Sequence, residues 1–441
     1  MMEAPRVDSS CEDQAGPAHP GTFLASQYGK SDHAQARVGV DFPVFVVLPA
    51  GGSGERTGLQ TPKQFCLLLG RPLISYTIEA FERVSWIRSI VVVVAKENTD
   101  LMAAIVGRFR HAKVRVVAGG STRHRSIWNG VMALSEVGEE EAEGGEDNKV
   151  VIIHDAVRPF VDEDLLYRVT VAAREHGASG AIRPLVSTVI ATTSEGFLDH
   201  SLERAKYRAS EMPQAFMYNV IQRAYKKCTE ADFDFGTECL HLVLRYCGTN
   251  AKLIEGPPTL WKITYKRDLA AAESVIKDTV SRRACMITGR CSHARMLADS
   301  LHKAFCKRET ELDMIPDVKG DNVKYLLKAW TFIQLSMNDS DLDEEVETTF
   351  AALEATNQTL LHPVVVVVVH LSTMDRWAAE PTAFAKLASG AKLRNILLYG
   401  VNLQQSKDAE RWTRSLAKAA ELTSALFRER SEALVGQILQ A

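Results

Sequence analysis

The sequence predicts an α/β protein made of two Rossmann-like units. Two observations carry this. Short apolar runs at Val44–Leu48, Ser89–Val94 and Val150–Ile153 lack polar alternation, as strands buried on both faces do, and Val114–Ala118 reads as a further strand. Segments of helical spacing separate them, and the same alternation starts again after residue 280. Boundaries follow: residues 1–41, 42–280 and 281–441.

Residues 1–41 mix Pro, Gly, Ser, Asp and His without periodicity and are expected to be disordered. The first strand then breaks into a loop with glycines at 51, 52, 54 and 58. Without a Cβ, such a backbone lets its N–H groups lie against an anion. Arg56 and Lys63 add two permanent cations, so the stretch supplies what a triphosphate needs. It is not a P-loop, because Gly-x4-Gly-Lys-Ser/Thr is absent, and Thr57 stands where the dinucleotide fingerprint needs its third glycine. A plain glycine-rich strand-to-helix turn is the competing reading. Pro62-Lys-Gln64, directly downstream, favours the nucleotide loop.

Pro72–Phe81 has helical spacing, with apolar residues at 73, 74, 78 and 81. A helix at Met102–Arg110 separates the second and third strands. Gly119-Gly-Ser-Thr-Arg-His-Arg-Ser126 opens a helix expected to run to about Val137. Ser121 and Ser126 are either capping residues or part of a second polar pocket facing the glycine loop. Gly138–Asp147, rich in Glu and Gly, reads as a solvated loop. The fourth strand ends in His154-Asp-Ala-Val-Arg-Pro159, which puts Asp155 at the carboxyl end of a parallel strand, where such sheets bind ligands. Asp155 either pairs with Arg158 or caps the next helix, or it reaches the Mg²⁺ or ribose of a nucleotide.

A helix at Leu165–His176 and a strand at Gly180–Val186 come next. From Ser187 to Pro213 the texture changes to short β-like pieces too open to pack on their own sheet. Helices at Val220–Lys227 and up to Cys247, a strand at Ala251–Gly256 and a closing helix to about Lys277 follow. In residues 281–441, Ala284–Ile287, Thr331–Leu335, Val364–Val369 and Asn395–Tyr399 read as strands. This part has neither G-x-G-x-x-G nor Tyr-x3-Lys, so it reads as a degenerate Rossmann-like module without assigned chemistry.

The charge balance is nearly even, 52 Lys and Arg against 55 Asp and Glu, which argues against a nucleic-acid partner. No apolar run approaches the roughly 20 residues of a membrane span, and the N-terminus carries no apolar signal core. Eight scattered cysteines without metal-type spacing read as reduced thiols, which with the missing signal points to the cytosol.

Six strings occur in order: Leu48-Pro-Ala-Gly-Gly-x-Gly-x-Arg56, Pro62-Lys-Gln64, Gly119-Gly-x-x-Arg-x-x-Ser126, His154-Asp-Ala-x-Arg-Pro159, Pro213-Gln-x-Phe216 and Lys262-x-Thr264. Over about residues 43–280 this pattern resembles the cytidylyltransferases that act on 2-C-methyl-D-erythritol 4-phosphate, a branch of the sugar-phosphate nucleotidyltransferases. The exact spellings and the extra C-terminal region are more similar still to an animal branch of that family, which takes D-ribitol 5-phosphate. The resemblance implies a Mg²⁺-dependent enzyme that moves CMP from CTP to ribitol 5-phosphate, giving CDP-ribitol for O-mannosyl glycan assembly of the dystroglycan type. The alternatives are the methylerythritol activity or a scaffold that has lost catalysis.

By the same resemblance, Arg56 and Lys63 lie over the α- and β-phosphates. Ala50, Gly51, Gly52, Gly54, Gly120, Ser121 and Ser126 hold the nucleotide, and Asp155 contacts the ribose or the metal. Arg158, Thr188, Arg204 and Lys262 take the acceptor, with Arg204 on an arm that enters a neighbouring subunit, so a homodimer is implied. The bacterial pattern has Asp at the positions of Ser121 and Ser187 and Thr at that of Met212. The last two lie near the acceptor and count against methylerythritol phosphate.

Overall fold

The strand that precedes the glycine loop, β1 (Val44–Pro49), is an interior strand of the first sheet. The computed structural model describes residues 39–52, 58–135, 148–236, 238–306, 308, 310–337, 342–356, 358–372 and 381–441. Expectations for Gly54, Arg56, Gly138–Asp147 and residues 1–38 therefore lie outside the described residues.

After β1 comes a small antiparallel hairpin, β2 (Leu67–Leu68) with β3 (Arg71–Pro72). Beyond it, β4 (Ile87–Val94), β5 (Val114–Ala118) and β6 (Val150–Ile153) join the sheet parallel to β1. β1 lies between β4 and β6, with Val46 opposite both Ile90 and Ile152. All the residues of β6 and nearly all of β1 are buried, the state their unbroken apolar runs predict. β7 (Ala178–Pro184), β10 (Arg208–Met217) and β11 (Lys252–Glu255) complete the order β11-β7-β10-β6-β1-β4-β5. The sheet grows from β1 in both directions, so the crevice at the carboxyl ends of β1 and β6 is the place where a doubly wound sheet takes its ligand.

One expectation needs correction. The Ser187–Pro213 stretch does not leave the sheet as a whole: β10 runs antiparallel between β6 and β7, and Met212 to Met217 are buried. Glu211, Pro213 and Gln214 break the apolar run, which hides a central strand from periodicity. What does leave the sheet is a hairpin, β8 (Ile190–Thr192) with β9 (Leu198–Ser201), which forms its own two-stranded ribbon and turns at Gly196 with φ +85°.

The second sheet holds β12 (Arg283–Ile287), β13 (Glu311–Ile315), β14 (Thr331–Ser336), β15 (Val364–Ser372), β16 (Ile396–Gln404) and β17 (Ile438–Gln440). All are parallel, in the order β13-β12-β14-β15-β16-β17. The sequence pattern finds the four central strands and misses the two edges. β13 reads Glu-Leu-Asp-Met-Ile and β17 has three residues, so neither presents an apolar run. Residues 42–441, with both sheets, form one unit. Among the described residues no helix is long and apolar enough to cross a membrane.

Candidate active site

A cavity of about 690 Å³ opens over the carboxyl ends of β1, β5 and β6. Ala50, Gly51 and Gly52 form one wall, Gly120, Ser121 and Ser126 another, and Lys63, Arg123, Asp155 and Lys262 supply its charge.

The glycine-loop wall is tied down locally. Ala50 N donates to the Val93 carbonyl at 2.7 Å. The buried Gln64 amide donates to the carbonyls of Ala50 and Gly52 at 2.6 and 3.0 Å. Gln64 and Lys63 share the 3-10 turn Lys63–Phe65, so the residue that anchors the loop also fixes the lysine beside it.

On the second wall, Thr122 caps the helix Arg123–Ala133 by accepting from Arg125 N, and its hydroxyl donates to the Phe233 carbonyl at 2.6 Å. Neither serine is the cap. Ser126 sits in the first helical turn, buried, with Oγ 3.2 Å from Gly120 N. The two glycines are required by close approach: a Cβ at Gly119 would lie 2.8 Å from Ser126 Oγ, and one at Gly120 2.5 Å from Arg125 Cβ.

Asp155 gathers three cations. Arg123 donates to its Oδ1 at 3.2 Å, and Arg158 and Lys262 reach Oδ2 at 3.0 and 3.1 Å. Burial alone opposes ionisation, but Lys262, Arg123 and Arg158 outweigh it and hold the carboxyl far below the usual carboxylate range. Asp155 is therefore a permanent anion within a positive pocket. Beneath it, fully buried His154 donates from Nε2 to the Arg158 carbonyl at 2.9 Å. Burial pushes its imidazole down to about 4, so the ring is neutral and acts as a structural donor.

The expected acceptor residues separate. Lys262 lines the cavity, held by the Ile263 N bond to the Val157 carbonyl at 3.2 Å. Arg158 is buried under Asp155 and also bonds Glu211 and the Leu260 carbonyl. Thr188 and Arg204 are exposed on the arm, and neither lines the cavity; Arg204 donates to the Val186 carbonyl at 2.8 Å. Sequence reading overlooked Arg123 and Gln64, although both stand inside the quoted strings as the Arg of Gly-Gly-x-x-Arg and the Gln of Pro-Lys-Gln.

A divalent cation fits this donor set in one way. No cluster of three His, Cys, Asp or Glu that would hold a metal occurs among the described residues. Among the described residues Asp155 is the one carboxylate on the cavity wall, and its two oxygens offer about four acceptor positions to three cations. Mg²⁺ is commonly held by one or two carboxylates plus substrate phosphates, and a single protein ligand suffices for that mode.

The family model described as 2-C-methyl-D-erythritol 4-phosphate cytidylyltransferase matches residues 44–278. That of the D-ribitol-5-phosphate cytidylyltransferase C-terminal domain matches residues 282–420. The chain is 49% identical over 402 residues to the D-ribitol-5-phosphate cytidylyltransferase of Xenopus tropicalis, covering 90% of this chain and 97% of that protein. It is 35% identical over 241 residues to the 2-C-methyl-D-erythritol 4-phosphate cytidylyltransferase of Syntrophus aciditrophicus, covering 54% of this chain and 98% of that one. Among solved structures, the 4-diphosphocytidyl-2C-methyl-D-erythritol synthase of Anaerococcus prevotii aligns with a TM-score of 0.44 at 23% identity, covering 54% of this chain and 99% of its own.

Proposed function

The chain belongs to the D-ribitol-5-phosphate cytidylyltransferase family, and from that premise we propose that its pocket joins CMP from CTP to D-ribitol 5-phosphate. A phosphate oxygen of the acceptor attacks the α-phosphorus; the bond from that phosphorus to the bridging oxygen breaks, and pyrophosphate leaves with the electron pair. The protein's work in such a step is positioning and charge neutralisation. The observation that carries the reading is the convergence of Lys63, Arg123 and Lys262 on a glycine-walled cavity with a permanently ionised Asp155 at its floor.

In this reading Lys63, with Arg56, meets the charge that grows on the α- and β-phosphate oxygens. The tight Gly119–Gly120 corner and Ser126 take the base through backbone and hydroxyl groups. Asp155 accepts from the ribose hydroxyls, and Arg123 and Arg158 keep its carboxylate turned that way. Lys262 stands beside Asp155 and takes the acceptor phosphate. Asp155 is also the residue that would hold Mg²⁺ carried by the triphosphate, and that ion would supply further neutralisation of the departing pyrophosphate.

Arg204 completes the acceptor clamp from a second subunit. The support is its place on an exposed arm, outside the cavity of its own chain. The seven described cysteines are free thiols, which suits a cytosolic dimer that delivers CDP-ribitol to glycan-building transferases.

The deciding assay follows pyrophosphate with CTP and either ribitol 5-phosphate, ribulose 5-phosphate or methylerythritol 4-phosphate. A site that hydrogen-bonds an extra hydroxyl rejects an analogue lacking it far more strongly than an apolar wall rejects a missing carbon. Ribitol 5-phosphate is expected to lead in kcat/KM by at least about 10²-fold. A preference for methylerythritol phosphate would return the chain to isoprenoid chemistry, and no release with any acceptor would make it a scaffold.

A further inference from the structure

The helix Leu73–Glu82 holds two walls of the pocket at once. Thr77 Oγ1 donates to the Ala156 carbonyl at 2.9 Å, next to Asp155. Tyr76 Oη donates to the Leu68 carbonyl at 2.7 Å, in the hairpin that follows the Lys63–Phe65 turn, and Leu73 N donates to the Cys66 carbonyl at 2.9 Å. The lysine turn and the aspartate loop are thus hung from one helix. An apolar cluster of Leu68, Leu73, Tyr76, Val157 and Ile263 fills the space between them.

The second sheet reaches the same point. His362, two residues before β15 and 5% exposed, sets Nδ1 3.3 Å from Tyr76 Oη, with ring centroids 5.2 Å apart. Trp330 packs edge-on against His362 at 4.7 Å and lies against the apolar cluster. Arg430 donates to the carbonyls of Pro363 and Trp330, bracing this corner from behind. Because Tyr76 gives its one proton to Leu68, its oxygen accepts from His362, which must carry its proton on Nδ1. Burial, followed by the charges of Arg71 and Arg430, keeps that imidazole neutral.

We propose that His362 is a positioning residue for the transferase site: acting through Tyr76 and the Leu68 carbonyl, it sets the Lys63 turn against the Asp155 loop and makes the C-terminal region part of the catalytic unit. A catalytic side chain displaced by an ångström costs turnover more than ground-state binding. The kinetic part rests on the pocket being the transferase site.

The test uses the full chain with His362→Phe, His362→Asn, Tyr76→Phe and the His362→Phe/Tyr76→Phe double variant. Each is read by kcat and KM for CTP and by amide hydrogen exchange at residues 63–68. His362→Phe and Tyr76→Phe are each expected to lower kcat by about tenfold with KM changed less than about twofold, and to speed exchange at 63–68. Asparagine, whose amide nitrogen falls near the Nδ1 position, should recover most of the loss. The double variant should be no worse than Tyr76→Phe, because the two act in series. Unchanged kcat and exchange in a folded His362→Phe, or losses that multiply in the double variant, would overturn the proposal. Should His362→Phe fail to fold, Tyr76→Phe deletes a single oxygen and decides alone, with unchanged kcat and exchange rejecting the link. If the wild-type chain releases no pyrophosphate, the transferase reading falls, while exchange at 63–68 still decides the positioning link.

Discussion

Lys63 and Asp155 show how one residue serves two readings that the sequence leaves open. Asp155 pairs with Arg158, the structural role, and the same carboxylate faces the cavity, where Arg123 and Lys262 also meet it. Pairing is what makes the group useful, because three cations keep it ionised despite burial. Lys63 owes its place to the short turn it shares with Gln64, and it is Gln64 that bonds the carbonyls of Ala50 and Gly52. Lys63→Ala should therefore fold normally and lose about 10²–10³-fold in kcat, the usual loss for one preorganised donor. A single-turnover measurement with CTP in excess checks this, and near-normal turnover would take Lys63 out of the mechanism.

Among the elements, the β8–β9 ribbon is the least explained by its own chain. An isolated two-stranded hairpin is marginal in water. Here its surroundings leave Val186 81%, Phe197 68% and Leu198 65% exposed. In the dimer we propose, a second subunit would cover this ribbon and Arg204 would reach a neighbour's cavity. Mixing two inactive chains, one Lys63→Ala and the other Arg204→Ala, should then restore part of the activity once subunits exchange. Proven exchange with no recovery would mean that each site is complete within one chain.

Across the whole molecule, buried neutral histidines tie stability to pH. Burial pushes His154 down to about 4, burial and then Arg123 do the same to His124, and His362 at the seam between the sheets is also depressed. Each folded imidazole binds its proton less readily than in the unfolded chain, where 6.5 is the ordinary value. The unfolded state thus takes up more protons as pH falls, so the stabilisation is full above about pH 6.5 and is lost progressively down to about pH 4. His154 alone should cost about 1 kcal/mol between pH 7 and pH 5.5. Urea midpoints at constant slope report this directly, and a flat profile over that interval would mean that these rings titrate normally.

The sequence alone carried the alternation of strands and helices, and the glycine loop with Lys63 beside it, because each depends on neighbours within a few residues. A strand buried on both faces must be apolar throughout, and a backbone that approaches an anion must lack Cβ atoms. The same logic explains the misses: β10 is broken by Pro213 and Gln214, and the edge strands β13 and β17 have little apolar surface to show. Tertiary structure decided which charges meet. Arg123, Arg158 and Lys262 are up to 139 residues apart in the chain, yet they converge on Asp155 because the ends of different strands share one edge of a sheet. It also decided that Tyr76 and His362, 286 residues apart, share a hydrogen bond, since only the packing of two completed sheets brings such distant side chains to one point.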